Sequence, residues 1–192
     1  LAIFLIDLLP NDMERRLNDA LAIYVDAMRY PRGTESQRAA MWLEHVRRRG
    51  WQGAAVVEAE AAAELSNAPL LGVAYGYPGA PGQWWQQQVV LGLQRGGLPP
   101  LEIARLMGSY FELTELHIAP RAQGRGLGEA LARRLLAGRG EKNVLLSTPE
   151  TNGESNRAWR LYRRLGFTDI IRGYHFVGDP RAFAILGRAL PL

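Results

Sequence analysis

The period of the apolar positions changes several times along the chain, and each change marks an element. Residues 2–8 form a short apolar run that reads as a strand. Over residues 10–28, Leu17, Leu21, Tyr24, Val25 and Met28 recur at helical spacing and predict one amphipathic helix. Tyr30-Pro31-Arg32-Gly33 reads as a turn. Thr34 and Gln37 then have the spacing of a capping box that opens a second helix. Ala39, Trp42, Leu43 and Val46 form its inner face, and Gly50 is a natural stop. Residues 53–58 and 70–77 read as two strands joined by an Ala- and Glu-rich surface excursion.

After the break Pro78-Gly79-Ala80-Pro81-Gly82, residues 83–108 carry two short helices. Trp85, Val89 and Leu93 mark the first, and Ile103, Leu106 and Met107 the second. Residues 110–118 are a strand that Pro120 ends. A glycine-rich turn opens a helix over 126–137, with Leu127, Leu131 and Leu135 on one face. A strand over 143–148 follows. A helix over 155–165 presents Ala158, Leu161, Tyr162 and Leu165 together, and Gly166 ends it. Residues 168–176 and 181–190 read as a hairpin. This order predicts a mixed α/β (α+β) architecture around one sheet, with a helical insertion around 83–108. With no internal repeat or low-complexity linker, residues 1–192 read as a single domain.

Composition narrows the function classes. Apolar residues at 47% and charged residues at 22% exclude a disordered chain. No apolar run is long enough to cross a membrane as a helix. The apolar start follows no basic segment, so it reads as a strand rather than a signal peptide, and the expected compartment is the cytoplasm. The absence of cysteine removes disulfides, thiolate metal sites and a thiol nucleophile. No His or carboxylate spacing suggests a metal site, and His45 and His175 have no partner spacing.

The net charge is +4, and Lys142 is the only lysine among 23 basic residues. Such arginine bias, with abundant Ala and Gly, fits the codon usage of a GC-rich bacterial genome. The pairs and triplets Arg47-Arg48-Arg49, Arg133-Arg134 and Arg163-Arg164 fall late in predicted helices, where cations complement the helix dipole. They read as exposed helix faces. No helix-turn-helix, zinc or aromatic RNA-binding signature accompanies them, so nucleic acid is not an expected partner.

Arg121-Ala122-Gln123-Gly124-Arg125-Gly126-Leu127-Gly128 lies between a strand and a helix. Glycines let the backbone turn tightly, and the first amides of a helix lack internal partners, so such a turn can receive a phosphate. A Walker loop is excluded because the segment has no lysine. A dinucleotide fingerprint fits poorly: Glu129 stands where the third glycine belongs, and residues 144–147 supply no acid. A turn built only for close packing is the structural alternative.

What remains is Gln/Arg-x-x-Gly-x-Gly, read as Gln123-Gly124-Arg125-Gly126-Leu127-Gly128. It resembles the acyl-CoA pyrophosphate loop of the GNAT superfamily of N-acetyltransferases. A second stretch, from Ser155-Asn156 through Ala158 and Leu161-Tyr162 to Leu165-Gly166-Phe167, resembles that family's second cofactor segment. Leu116-His117-Ile118-Ala119-Pro120 resembles the strand end that precedes the loop. The resemblance spans about residues 110–167 and implies a GNAT-like, mostly antiparallel central sheet flanked by helices.

It also implies an acetyl-CoA-dependent N-acetyltransferase acting on a primary amine through a ternary complex, with no metal. The loop amides, with Arg121 and Arg125 beside them, would hold the pyrophosphate. The main chain of Leu116, His117 and Ile118 would pair with the pantetheine arm, and Asn156 would bond its amides. Tyr162 matches the general acid, although by periodicity it also belongs to an apolar helix face. Glu115 and Glu112 are the candidate bases. They are three apart and face opposite sides of a regular strand, whereas Glu115 and His117 share a face. The acceptor side would draw on Tyr30, Tyr75, Tyr77, Trp84 and Trp85. A protein lysine and a small-molecule amine both fit as acceptors, and a monomer and a homodimer both fit as assemblies. The alternative is a non-catalytic acyl-CoA-binding regulatory module.

Overall fold

The structure, a computed structural model, describes residues 1–151 and 153–192. Its strands are β1 (Ala2–Leu8), β2 (Gln52–Ala59), β3 (Leu70–Pro78), β4 (Tyr110–Ile118), β5 (Asn143–Pro149), β6 (Thr168–Tyr174) and β7 (Phe183–Ala189). Its helices are α1 (Pro10–Arg15), α2 (Leu17–Met28), α3 (Thr34–Val46), α4 (Trp84–Arg95), α5 (Pro100–Met107), α6 (Leu127–Leu136) and α7 (Arg157–Arg164). The strands form one mixed sheet in the order β1-β2-β3-β4-β5-β7-β6. Pairing is antiparallel for β1–β2, β2–β3, β5–β7 and β6–β7. It is parallel for β4–β5, over Tyr110 to Glu112 against Asn143 to Leu145.

The chain divides into two compact units, Leu1–Tyr77 with Thr114–Ala137, and Pro78–Leu113 with Gly138–Leu192. In the first, Met13, Leu21, Val25, Trp42 and Val46 pack with the strand residues Val57, Val73 and Tyr75. Arg134 on α6 pairs with Asp7 on β1 at 2.9 Å. In the second, Trp85, Val89, Leu93, Ile103 and Met107 of the insertion pack with Tyr110, Leu145, Tyr174 and Ile185. The insertion is therefore part of a core, as its apolar spacing predicts. Tyr110 donates to Gln86 at 2.8 Å, and a Cβ at Gly79 would lie 1.9 Å from the Tyr110 ring. Only glycine fits that approach.

Three local expectations are corrected. The single helix over 10–28 is two, broken at Arg16 (φ −105°, ψ 17°). Arg16 is buried, and its guanidinium donates to the carbonyls of Leu65 and Ala68, a tertiary bond that periodicity does not record. The capping box at Thr34 is absent. Gly33 caps α3 at φ 102°, and the Thr34 hydroxyl donates back to the Pro31 carbonyl at 2.7 Å. On α7 the inner face is Trp159, Leu161, Tyr162 and Leu165, while Ala158 is exposed. Indole burial outweighs that of a methyl group.

Candidate functional site

The glycine-rich turn makes its bend with two left-handed glycines, Gly124 (φ 79°) and Gly126 (φ 75°). Gly126 is the N-cap of α6, and no side chain caps that helix. Helix α6 thus begins without a side-chain cap, the arrangement that receives an anion at the first amides of a helix. A Cβ built at Gly126 meets no atom within 4 Å, so the space in front of the cap is open. Gln123 donates its side-chain amide to the Ile118 carbonyl at 3.1 Å and ties the loop to the end of β4. Arg121 and Arg125 are exposed beside it. These residues fit a diphosphate, in an open cradle of amides flanked by two guanidinium groups.

Two residues before Ala119, β4 carries a close polar pair. His117 Nε2 and Glu115 Oε1 are 2.6 Å apart, with side-chain exposures of 11% and 16%. Their spacing puts them on one face of the strand, as the sequence predicts. The His117 ring meets Tyr24 of α2 edge-on, with centroids 5.0 Å apart. Tyr24 in turn stands 5.5 Å from Tyr30 and 5.6 Å from Trp42. Burial, and then the Glu115 carboxylate, raise the Tyr24 phenol above its ordinary value, so it stays protonated at neutral pH.

The ladder continues inward. Trp42 meets Tyr75 edge-on, and Tyr75 shares a 2.8 Å hydrogen bond with His45 Nδ1. Burial and nearby Arg48 push the His45 imidazole down to about 4. Tyr77 is also buried, against the His45 ring and under the Arg48 guanidinium. Of the tyrosines assigned to the acceptor side, Tyr75 and Tyr77 are core residues and Tyr30 alone reaches solvent. Tyr30 lines an open groove of about 870 Å³ together with Asp19, Ile23, Asp26, Arg29 and Arg121. The structure therefore brings Tyr30 and Arg121 to one surface.

The second motif sits in the other unit. Asn156 is the N-cap of α7, and its Oδ1 accepts the Trp159 amide at 3.0 Å. Its Nδ2 donates to the Thr151 carbonyl at 3.4 Å. Trp159 is fully buried, donates its indole N–H to the Pro149 carbonyl at 3.0 Å, and lies against the guanidinium groups of Arg163 and Arg172. Tyr162 is 8% exposed, with Phe167 against its ring. Glu112 is 4% exposed. Trp85 is anchored by a 3.2 Å hydrogen bond to the Ser147 hydroxyl, whereas Trp84 is 50% exposed and rests on Phe176.

The contacts of Tyr24 and His45 are not legible in the sequence: Tyr24 is one apolar position of a helix face, and no spacing links His45 to Tyr75. The i, i+2 relation of Glu115 and His117 was the available signal for the polar pair. Among the described residues no group of three or more metal-ligating side chains occurs. No helix among them is long and apolar enough to cross a membrane.

Residues 92–169 match the acetyltransferase (GNAT) domain family. The chain is 80% identical to a GCN5-like protein acetyltransferase of Mycobacterium tuberculosis over the full length of both. Among solved structures it resembles a GNAT-family protein from Desulfovibrio desulfuricans, with a TM-score of 0.65 at 14% identity over 98% of this chain and 99% of that one. It also resembles NAA60 of Arabidopsis thaliana in complex with acetyl-CoA, with a TM-score of 0.63 at 17% identity over 98% of this chain and 99% of that one. At those identities the likeness establishes the fold.

Proposed function

Because the chain belongs to the GNAT superfamily of acetyltransferases, we propose that it moves the acetyl group of acetyl-CoA directly to a primary amine of a protein, within a ternary complex. The observation that carries this reading is the open amide cradle at Gly126. The protein acceptor rests on the name of the mycobacterial relative, a protein acetyltransferase at 80% identity. The absence of cysteine supports direct transfer, since no cysteinyl acyl-enzyme can form.

In this reading the amides that open α6 hold the pyrophosphate, with Arg121 and Arg125 adding charge. The backbone of Leu116, His117 and Ile118 pairs with the pantetheine arm and orients the thioester. Acetyl-CoA supplies the activated acyl group. The polar face of β4 prepares the amine: it carries Glu115 paired with His117, whereas Glu112 is more deeply buried. Tyr162 gives a proton to the departing thiolate, and Asn156 offers its remaining amide hydrogen to the pantetheine. Tyr30, which lines the open groove with Arg121, contacts the acceptor.

The test is release of free thiol from acetyl-CoA with lysine-rich peptides, compared between the wild type and Tyr162→Phe. The expected result is turnover by the wild type and a loss of about 10²-fold or more in the variant, with acetyl-CoA affinity kept. Turnover unchanged in the variant removes Tyr162 from the reaction. Acetyl-CoA binding without turnover on any amine identifies a regulatory acyl-CoA-binding module instead.

A further inference from the structure

We propose that His117 is the group that accepts the acceptor amine's proton, with Glu115 as the positioning carboxylate that fixes its tautomer. The inference rests on the transferase reading and names a base for it.

The geometry carries the argument. Glu115 and His117 are close enough for a short hydrogen bond, 2.6 Å between Oε1 and Nε2. An ionised carboxylate only accepts, so the pair places the imidazole hydrogen on Nε2 and leaves the lone pair on Nδ1. When an ammonium group meets Nδ1, directly or through one water, an N–H bond of the ammonium breaks and an Nδ1–H bond forms. The electron pair stays on the amine nitrogen, which becomes the nucleophile. The imidazolium so formed lies against the Glu115 carboxylate, which stabilises it.

The backbone here is held from behind. A Cβ at Gly72 of β3 would lie 2.6 Å from Ile118 Cδ1 and 3.2 Å from the His117 carbonyl oxygen. The Tyr24 ring packs against the imidazole from the α2 side, with the two rings T-shaped. Tyr30 stands next to Tyr24 and also lines the open groove, so the ladder that ends at His117 begins at the surface. The other titratable and charged groups around the pair are Arg38, which stands over Tyr24, and His45, with Arg48 and Glu44 acting on it. Of the candidate bases on β4, Glu112 is the more deeply buried, and Glu115 is already engaged by the imidazole.

The experiment is the pH profile of kcat/KM with a lysine-rich peptide for wild type, His117→Gln and Glu115→Gln. It is repeated with a peptide carrying an aminooxy group, which is already unprotonated at neutral pH. His117→Gln should lose about 10²–10⁴-fold in kcat/KM on the lysine peptide. It should keep its melting temperature and acetyl-CoA affinity and recover most of its rate on the aminooxy peptide. Glu115→Gln should retain an acid limb moved to lower pH, because its imidazolium has lost the carboxylate.

If His117→Gln keeps the wild-type rate and limb while Glu115→Gln loses both, Glu115 is the base and the assignment is overturned. If His117→Gln does not fold, the position of the Glu115→Gln limb decides: a downward shift supports the assignment and loss of the limb overturns it. A wild type that binds acetyl-CoA and turns over neither peptide overturns the transferase reading, and this assignment with it.

Discussion

The two helices that carry the family motifs begin in opposite ways. Helix α7 starts at Asn156, whose side chain accepts the amide of Trp159, and Trp159 is locked by its own indole hydrogen bond and two guanidinium groups. Helix α6 starts at a left-handed glycine with no side-chain cap, where an added Cβ would meet no atom within 4 Å. A helix end with its own cap is satisfied by the fold, whereas one without it needs water or a ligand. Both stretches resemble cofactor-binding segments, and the structure separates them by what their polar groups already do. The start of α6 carries no side-chain cap, and much of the α7 motif is spent on holding α7.

That difference is tested most strongly at Trp159. Its replacement by alanine removes a fully buried indole, the hydrogen bond to Pro149 and the surface on which Arg163 and Arg172 lie. Stability should fall by about 3–5 kcal/mol, read as a lower denaturant midpoint. A loss below about 1 kcal/mol, the size of an ordinary surface substitution, would contradict the locked start of α7.

At Gly126 the expected effect on the fold is smaller, and the effect on the ligand is the larger one. Gly126→Val places a β-branched side chain at φ 75°, which costs about 1–2 kcal/mol of stability. The same side chain enters the space the diphosphate would occupy, so acetyl-CoA affinity should fall at least about tenfold, or ~1.4 kcal/mol, by titration calorimetry. Unchanged affinity in the folded variant would mean that the turn serves packing alone.

The same contrast explains how much was legible in the sequence. The strands, the two helices of the insertion and the loop at Gly124 and Gly126 follow from period and glycine placement, and the structure has them. The break at Arg16 was not legible, because it answers to the carbonyls of Leu65 and Ala68, some fifty residues away in sequence. Nor was the Gly33 cap, since Thr34 carries the capping pattern but spends its hydroxyl on Pro31. At the site, Glu115 and His117 could be read as sharing a face from their spacing. Tyr75 and Tyr77 read as pocket residues from chemistry alone, and burial makes them part of the core. Local rules find what one element decides, and they miss what a distant partner decides.

The smallest expected effect distinguishes the two roles of Asn156. Asn156→Ala removes the acceptor for the Trp159 amide and should cost about 1 kcal/mol of stability. Asn156→Asp keeps a capping oxygen, and its negative charge lies favourably at the helix N-terminus, so stability should match the wild type within about 0.5 kcal/mol. Yet Asp has no Nδ2 to donate. If acetyl-CoA affinity falls in Asn156→Asp while the midpoint of unfolding is kept, the side chain serves the pantetheine as well as the helix. If neither changes, Asn156 is a cap only, and the second motif contributes to the cofactor through the shape it gives α7 rather than through its own donor.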